Sequence, residues 1–229
     1  MIFCRERRFR ISAQNNARNV SRIQCLESPE AALAPLPGTC RMLGIVSSTG
    51  GPNALAHLLN GLGRNFPLPI VLVQHITASF LDGFASWLES VCPFSVEILK
   101  GRVAPAPGTV YLANRDRHLR VARQYLLVDA GDPVCAQRPS GTVLFESMAK
   151  TFGRQALGVL LTGMGEDGAE GLLQVRNAGG HTIAEHESTA VVYGMPAAAV
   201  RLGGVSESLP LPEIAPRVLE LTSSRKEAA

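Results

Sequence analysis

Three side chains able to form a nucleophilic relay recur in similar settings along this chain. Ser48 follows the apolar run Met42 to Val46 in the turn Ser47-Ser48-Thr49-Gly50-Gly51-Pro52. His75 closes the run Pro69 to Val73 after Gln74, and Asp167 lies in the glycine-rich stretch Thr162 to Gly168 that leaves the run Leu157 to Leu161. A serine hydroxyl is a poor nucleophile at neutral pH unless a base removes its proton, and an imidazole base needs a carboxylate to fix its tautomer and stabilise its cation. These are the residue types that acyl transfer requires. The turns offer donors for a developing oxyanion: the amides of Thr49, Gly50 and Gly51 at the start of a helix, and another from Gly163-Met164-Gly165. Loss of one such donor typically costs roughly 100- to 1000-fold in turnover.

Each residue also has a plainer reading. Ser47 or Ser48 ahead of a helix is suited to capping it, His75 to a satisfied strand end, and Asp167 to capping the helix that follows it. Three independent caps have no reason to comprise a nucleophile, a base and an acid that orients the base. His57 and His118 read as helix-face or surface residues, and His181 and His186 flank a short strand. The turn at Ser48 is not the nucleophile elbow of α/β-hydrolases, because Val46 stands where that pattern needs glycine. No Gly-Lys-Ser/Thr follows the glycines, so it is not a P-loop either. A phosphate- or nucleotide-binding turn over Ser47 to Gly51 stays open as another use of the same amides.

The elements that must position these groups are repeated strand, glycine turn and helix. Helix periodicity from Asn53 to Leu62 carries Leu55, Leu58, Leu59 and Leu62, and from Ser79 to Val91 it carries Phe80, Phe84, Trp87, Leu88 and Val91. Val96 to Leu99 and Thr109 to Leu112 read as strands, Leu119 to Val128 as a hairpin, and Ser140 to Gly153 and Ala169 to Ala178 as helices. A short strand at His181 to Ala184, a helix at Pro196 to Leu202, a strand or turn at Val205 to Leu209 and a helix at Pro212 to Leu221 complete the pattern. Continuous apolar strands alternating with helices predict a doubly wound, three-layer α/β fold with a mostly parallel sheet. Ligands of such sheets sit outside the carboxyl ends of the strands, where Ser48, His75 and Asp167 fall.

Composition narrows the field. The chain has 229 residues, 46% apolar and 18% charged, enough for one medium domain with a substantial core. Its net charge of +3 is uneven, since residues 1–41 hold seven arginines against Glu6, Glu27 and Glu30. That segment, ending in Ala34-Pro35-Leu36-Pro37-Gly38, reads as a flexible basic arm and linker in preference to a transit peptide, with the folded domain over 42–229. The folded part has no basic stripe with interleaved aromatics, so a nucleic-acid partner is not expected. No apolar run is long enough to enter a bilayer as a helix, and no apolar signal core follows the first arginines. Five widely spaced cysteines without a C-x-x-C pair suggest neither a disulfide framework nor a metal site, which fits a reducing cytoplasm. Cys92 and Cys135 read as core packing.

Four blocks in order resemble the catalytic domain of the CheB chemotaxis methylesterases: Gly44 to Pro52, Val73-Gln74-His75, Leu160 to Gly168, and Val192-Tyr193-Gly194-Met195-Pro196. The resemblance spans nearly all of residues 42–222 and matches the family's serine, histidine and aspartate to Ser48, His75 and Asp167. It implies hydrolysis of glutamate γ-methyl esters on chemoreceptor helices with release of methanol, often with deamidation of receptor glutamines, and no metal or organic cofactor. Thr49, Gly50 and Met164 are then the oxyanion and substrate residues. Relatives usually carry a receiver domain ahead of the esterase. Forty-one residues are too few to fold one, so any response regulator would be a separate partner. Many relatives also place an acidic residue two positions after the serine of Arg138-Pro139-Ser140, where this chain has Gly141-Thr142. A noncatalytic CheB-like module that binds receptor helices or a signalling partner is the competing class.

Overall fold

The computed structural model describes residues 40–223, so the expected arm over 1–41 falls almost wholly outside the described residues. In chain order the elements are β1 (Met42–Ser47), α1 (Gly51–Leu62), β2 (Ile70–Gln74), α2 (Leu81–Val91), β3 (Ser95–Ile98), β4 (Thr109–Leu112), β5 (His118–Ala122) and β6 (Tyr125–Asp129). They continue with α3 (Gly141–Phe152), β7 (Ala156–Leu160), α4 (Ala169–Asn177), β8 (His181–Glu185), α5 (Met195–Arg201), β9 (Glu207–Leu209) and α6 (Leu211–Thr222). Seven strands form one sheet in the order β3-β4-β2-β1-β7-β8-β9. Every neighbouring pair in it is parallel. β5 and β6 form a separate antiparallel hairpin.

The central strands β1, β2, β7 and β8 are buried along their whole length, which a parallel sheet achieves only with helices on both faces. Alternation decides which side chain meets which layer. Leu43, Ile45, Ile70 and Leu72 pack with Leu55, Leu58 and Leu59 of α1, Phe84 and Leu88 of α2, and Ile214 and Val218 of α6. Val46, Val71, Val73 and Leu160 pack with Phe145 and Met148 of α3, Leu172 of α4, Ala199 of α5 and Leu119 and Leu126 of the hairpin. The expected doubly wound, three-layer arrangement results. Two glycines let α3 lie close on the sheet: a Cβ at Gly44 would sit 2.4 Å from Met148 Sδ, and one at Gly141 2.4 Å from Val46 Cγ1.

From β1 the chain first adds β2 on one side and later β7, β8 and β9 on the other. The winding therefore reverses between β1 and β7, and the crevice at their carboxyl ends is the place such a sheet offers to a ligand.

Some local expectations need correction. α1 begins two residues before Asn53, because Pro52 fits the first helical turn, where its missing N–H removes no intrahelical bond. His118, expected at the surface, is fully buried: it lies where the hairpin meets α3, with Nε2 2.9 Å from Asp132 O. Cys135, expected in the core, is exposed in a loop with φ +50°. Cys92 is half-buried at the edge of the α1 layer.

Candidate active site

The sheet register brings the first two candidate residues level. Ser47 pairs with Gln74 at the carboxyl ends of β1 and β2, and His75 N–H donates to Ser47 O at 3.0 Å. Ser48 and His75 are the next residue on each strand, and adjacent strands run about 4.8 Å apart. By alternation Ser48 and His75 follow Val46 and Val73 onto the α3 face, while Ser47 and Gln74 turn to the α1 face.

Asp167 reaches this crevice from the loop after β7. Its Oδ2 lies 2.8 Å from His75 Nε2 and accepts Gly141 N–H at 2.6 Å. Its Oδ1 accepts the Ser140 hydroxyl at 2.6 Å and Thr142 N–H at 3.2 Å. The carboxylate therefore caps the N-terminus of α3, where unpaired amides and the helix dipole favour negative charge. Burial alone would push the Asp167 carboxyl up, but the hydrogen bonds from His75, Ser140 and Gly141 together hold it below the usual carboxylate range. With Nε2 engaged, His75 keeps Nδ1 for another partner.

The loop after β7 also cradles Ser48. Ser48 N–H donates to Thr162 O at 3.0 Å. The Thr162 hydroxyl donates to Thr49 O at 2.9 Å and accepts Val192 N–H at 2.9 Å. A Cβ on Gly163 would stand 2.7 Å from the Ser48 Cβ, so glycine there lets the two loops touch. The Ser48 hydroxyl makes no hydrogen bond among the described residues, to His75 or to any other group. Catalytic contacts in ligand-free sites commonly tighten only when substrate binds.

Among the described residues the amides of Thr49, Gly50 and Met164 have no protein acceptor. Gly51 differs from expectation: its N–H is committed to Ser48 O at 2.8 Å, closing the turn. Gly50 takes φ +83°, and a Cβ there would meet Val191 Cβ at 2.6 Å, so only glycine suits this corner. Thr49 and Gly50 follow Ser48 directly and Met164 follows Gly163, which packs against Ser48; Met164 is 77% exposed and Thr49 is exposed.

The plainer capping readings do not hold. The N-cap of α1 is Gly50, with no side-chain bond, so neither Ser47 nor Ser48 caps that helix. Asp167 does cap a helix, but it is α3, more than twenty residues upstream, while Gly168 stands at the N-cap of α4. Sequence reasoning missed Ser140, whose only local signal was its place ahead of a helix. It also missed Gln74 and Glu185, polar residues at the ends of strands β2 and β8. Thr142 is buried, and its hydroxyl accepts Gly168 N–H at 2.9 Å, bracing the Asp167 loop.

Residues 43–218 match the CheB methylesterase family model. The chain belongs to the CheB methylesterase family. It is 52% identical over 195 residues to a Paramagnetospirillum magneticum protein-glutamate methylesterase/protein-glutamine glutaminase, covering 85% of this chain and 55% of that protein. A Cupriavidus metallidurans protein of the same name is 44% identical, covering 83% of this chain and 57% of that one. The chain thus spans a little over half the length of these curated CheB relatives. The crystal structure of the Thermotoga maritima CheB methylesterase catalytic domain superposes with a TM-score of 0.75 at 34% identity, covering 80% of this chain and 98% of that one. No helix among the described residues is long and apolar enough to cross a membrane.

Proposed function

We propose that this CheB-family chain is a serine esterase that hydrolyses glutamate γ-methyl esters on the helices of methyl-accepting chemoreceptors in the cytoplasm. The observation that carries the reading is the 2.8 Å contact between His75 Nε2 and Asp167 Oδ2 on the face shared with Ser48. Ser48 Oγ attacks the ester carbonyl while His75 Nδ1 takes its proton. Asp167, held ionised by the α3 N-terminus, fixes the Nε2–H tautomer and stabilises the imidazolium. The carbonyl oxygen gains charge facing the amides of Thr49, Gly50 and Met164. His75 then gives its proton to the departing methoxide, so methanol leaves and a glutamyl ester of Ser48 remains. Water, deprotonated by the same imidazole, attacks that ester and releases the glutamate side chain and the serine. The same sequence on a glutamine amide releases ammonia, which makes deamidation the companion reaction, as the relatives' names describe for them.

The catalytic unit in this reading runs from Met42, and residues 1–41 are a basic arm that turnover does not use. A chain starting at Arg41 should keep full methanol release.

The deciding experiment measures methanol released from a methylated chemoreceptor fragment by wild type and by Ser48→Ala. Release by wild type that falls roughly 10⁴-fold or more in Ser48→Ala supports the assignment. No release by a folded wild type that still binds the fragment would make the chain a receptor-binding module. Protection by inorganic phosphate, without labelling of Ser48 by a fluorophosphonate, would point to an anion-binding turn.

A further inference from the structure

Two residues inside the recognised blocks have no part in the chemistry above, and they touch each other. Gln74 ends β2, a strand otherwise made of Ile70, Val71, Leu72 and Val73, and it is 5% exposed. Burying an amide at an apolar strand end is costly unless its hydrogen bonds are made. Gln74 makes three. Its Nε2 donates to Ser48 O at 2.9 Å and to His75 O at 3.0 Å, and its Oε1 accepts the Ser47 hydroxyl at 2.7 Å. Both protons of one amide are thus spent on the carbonyls of the two residues assigned as nucleophile and base. Gly51 makes the room: a Cβ at Gly51 would lie 2.1 Å from Gln74 Oε1. Gly51 N–H also shares the Ser48 carbonyl with Gln74.

Resting on the esterase reading, we infer that Gln74, seated by Gly51, is a positioning residue that holds the Ser48 and His75 backbones at a set separation. The regular ladder stops at the pair Ser47 and Gln74. Beyond it the two chains diverge, one into α1 and the other into the loop before α2. Along this edge the side-chain amide of Gln74 takes over the bridging that the ladder no longer supplies. The reacting groups hang from the two carbonyl-bearing residues, so loss of the bridge changes their approach while leaving substrate contacts in place. Misplacement of about 1 Å costs on the order of 100-fold in rate.

The test uses Gln74→Met, which keeps the volume and removes all three bonds, and Gly51→Ala, which displaces the amide from the other side. Both are assayed by methanol release from the methylated receptor fragment, with kcat expressed per serine labelled at the end point by a fluorophosphonate, so an unfolded fraction does not count. Each single variant is expected to lower kcat about 10- to 100-fold with KM within about twofold, and the double variant to lose no more than the worse single. A kcat within twofold of wild type in Gln74→Met, a loss expressed in KM, or losses that multiply in the double variant would overturn the inference. Wild type and Ser48→Ala run alongside: equal turnover by those two would sink the esterase reading itself, whereas a clear difference between them with Gln74→Met unimpaired sinks only the positioning role.

Discussion

Ser140 donates its hydroxyl proton to Asp167 Oδ1 at 2.6 Å, while its own backbone N–H is given to Nδ1 of the buried His118 at 3.2 Å. The N-cap residue of α3 therefore ties the hairpin, the helix and the acid of the candidate relay into one unit. Its hydroxyl also accepts Val143 N–H at 3.4 Å, a weak cap beside a strong carboxylate contact.

Ser140→Ala removes both bonds at a fully buried site. The variant should lose about 1–2 kcal/mol of stability, as removal of a helix N-cap typically does. Turnover should fall as well, because Asp167 keeps the His75 contact but loses the bond that fixes its other oxygen. Urea unfolding and methanol release on the same preparations check the two effects. Unchanged turnover at reduced stability would assign Ser140 to the fold alone.

The position of Asp167 sets the direction of an acid effect. Its folded-state carboxyl lies below the usual range, so its contribution to stability is complete above the unfolded value of about 3.9 and disappears as pH falls through the lower folded one. The stability gap between wild type and Asp167→Asn should narrow as pH falls below about 4. Unfolding midpoints in urea at stepped pH measure it. A gap that widens below about pH 4 would contradict the hydrogen bonds assigned to this carboxylate.

Glu185 behaves in the opposite sense. At the end of β8 it is 1% exposed, and its Oε2 accepts Thr162 N–H at 2.8 Å while Oε1 has no partner among the described residues. Burial pushes its carboxyl up, outweighing the polar contacts with Thr162 and Thr189. Between the unfolded and the higher folded value, folding takes up a proton, so stability declines as pH rises. Glu185→Gln abolishes that dependence. Its stability relative to wild type should improve as pH rises above about 4 and level off once pH passes the higher folded value, by thermal unfolding at each pH.

Much of this architecture was legible because the signals are local. Apolar runs of four to six residues marked the strands, and glycine turns after β1 and β7 marked where chemistry could sit. The parallel-sheet rule then placed Ser48, His75 and Asp167 at one edge before any coordinates. What escaped depends on contacts distant in sequence. His118 looks like a surface residue by type, and only the fold of the hairpin against α3 buries it. Asp167 was legible as a cap, but the helix it caps is upstream because α3 and α4 lie side by side on one face. Gln74 and Gly51 each resembled a turn or strand-end residue, and their meaning lies in the contact between them.

The pairing of His75 with Asp167 closes a span of 92 residues, and Thr162 reaches Thr49 across 113. Neither half of the polypeptide holds more than a portion of the apparatus, and the last pieces meet only when the returning strand β7 docks beside β1. On the proposed esterase reading, hydrolysis would be a gauge of completed assembly: a nicked chain whose halves drift apart, or a collapsed intermediate still lacking its central strand, would be silent however much helix it retained.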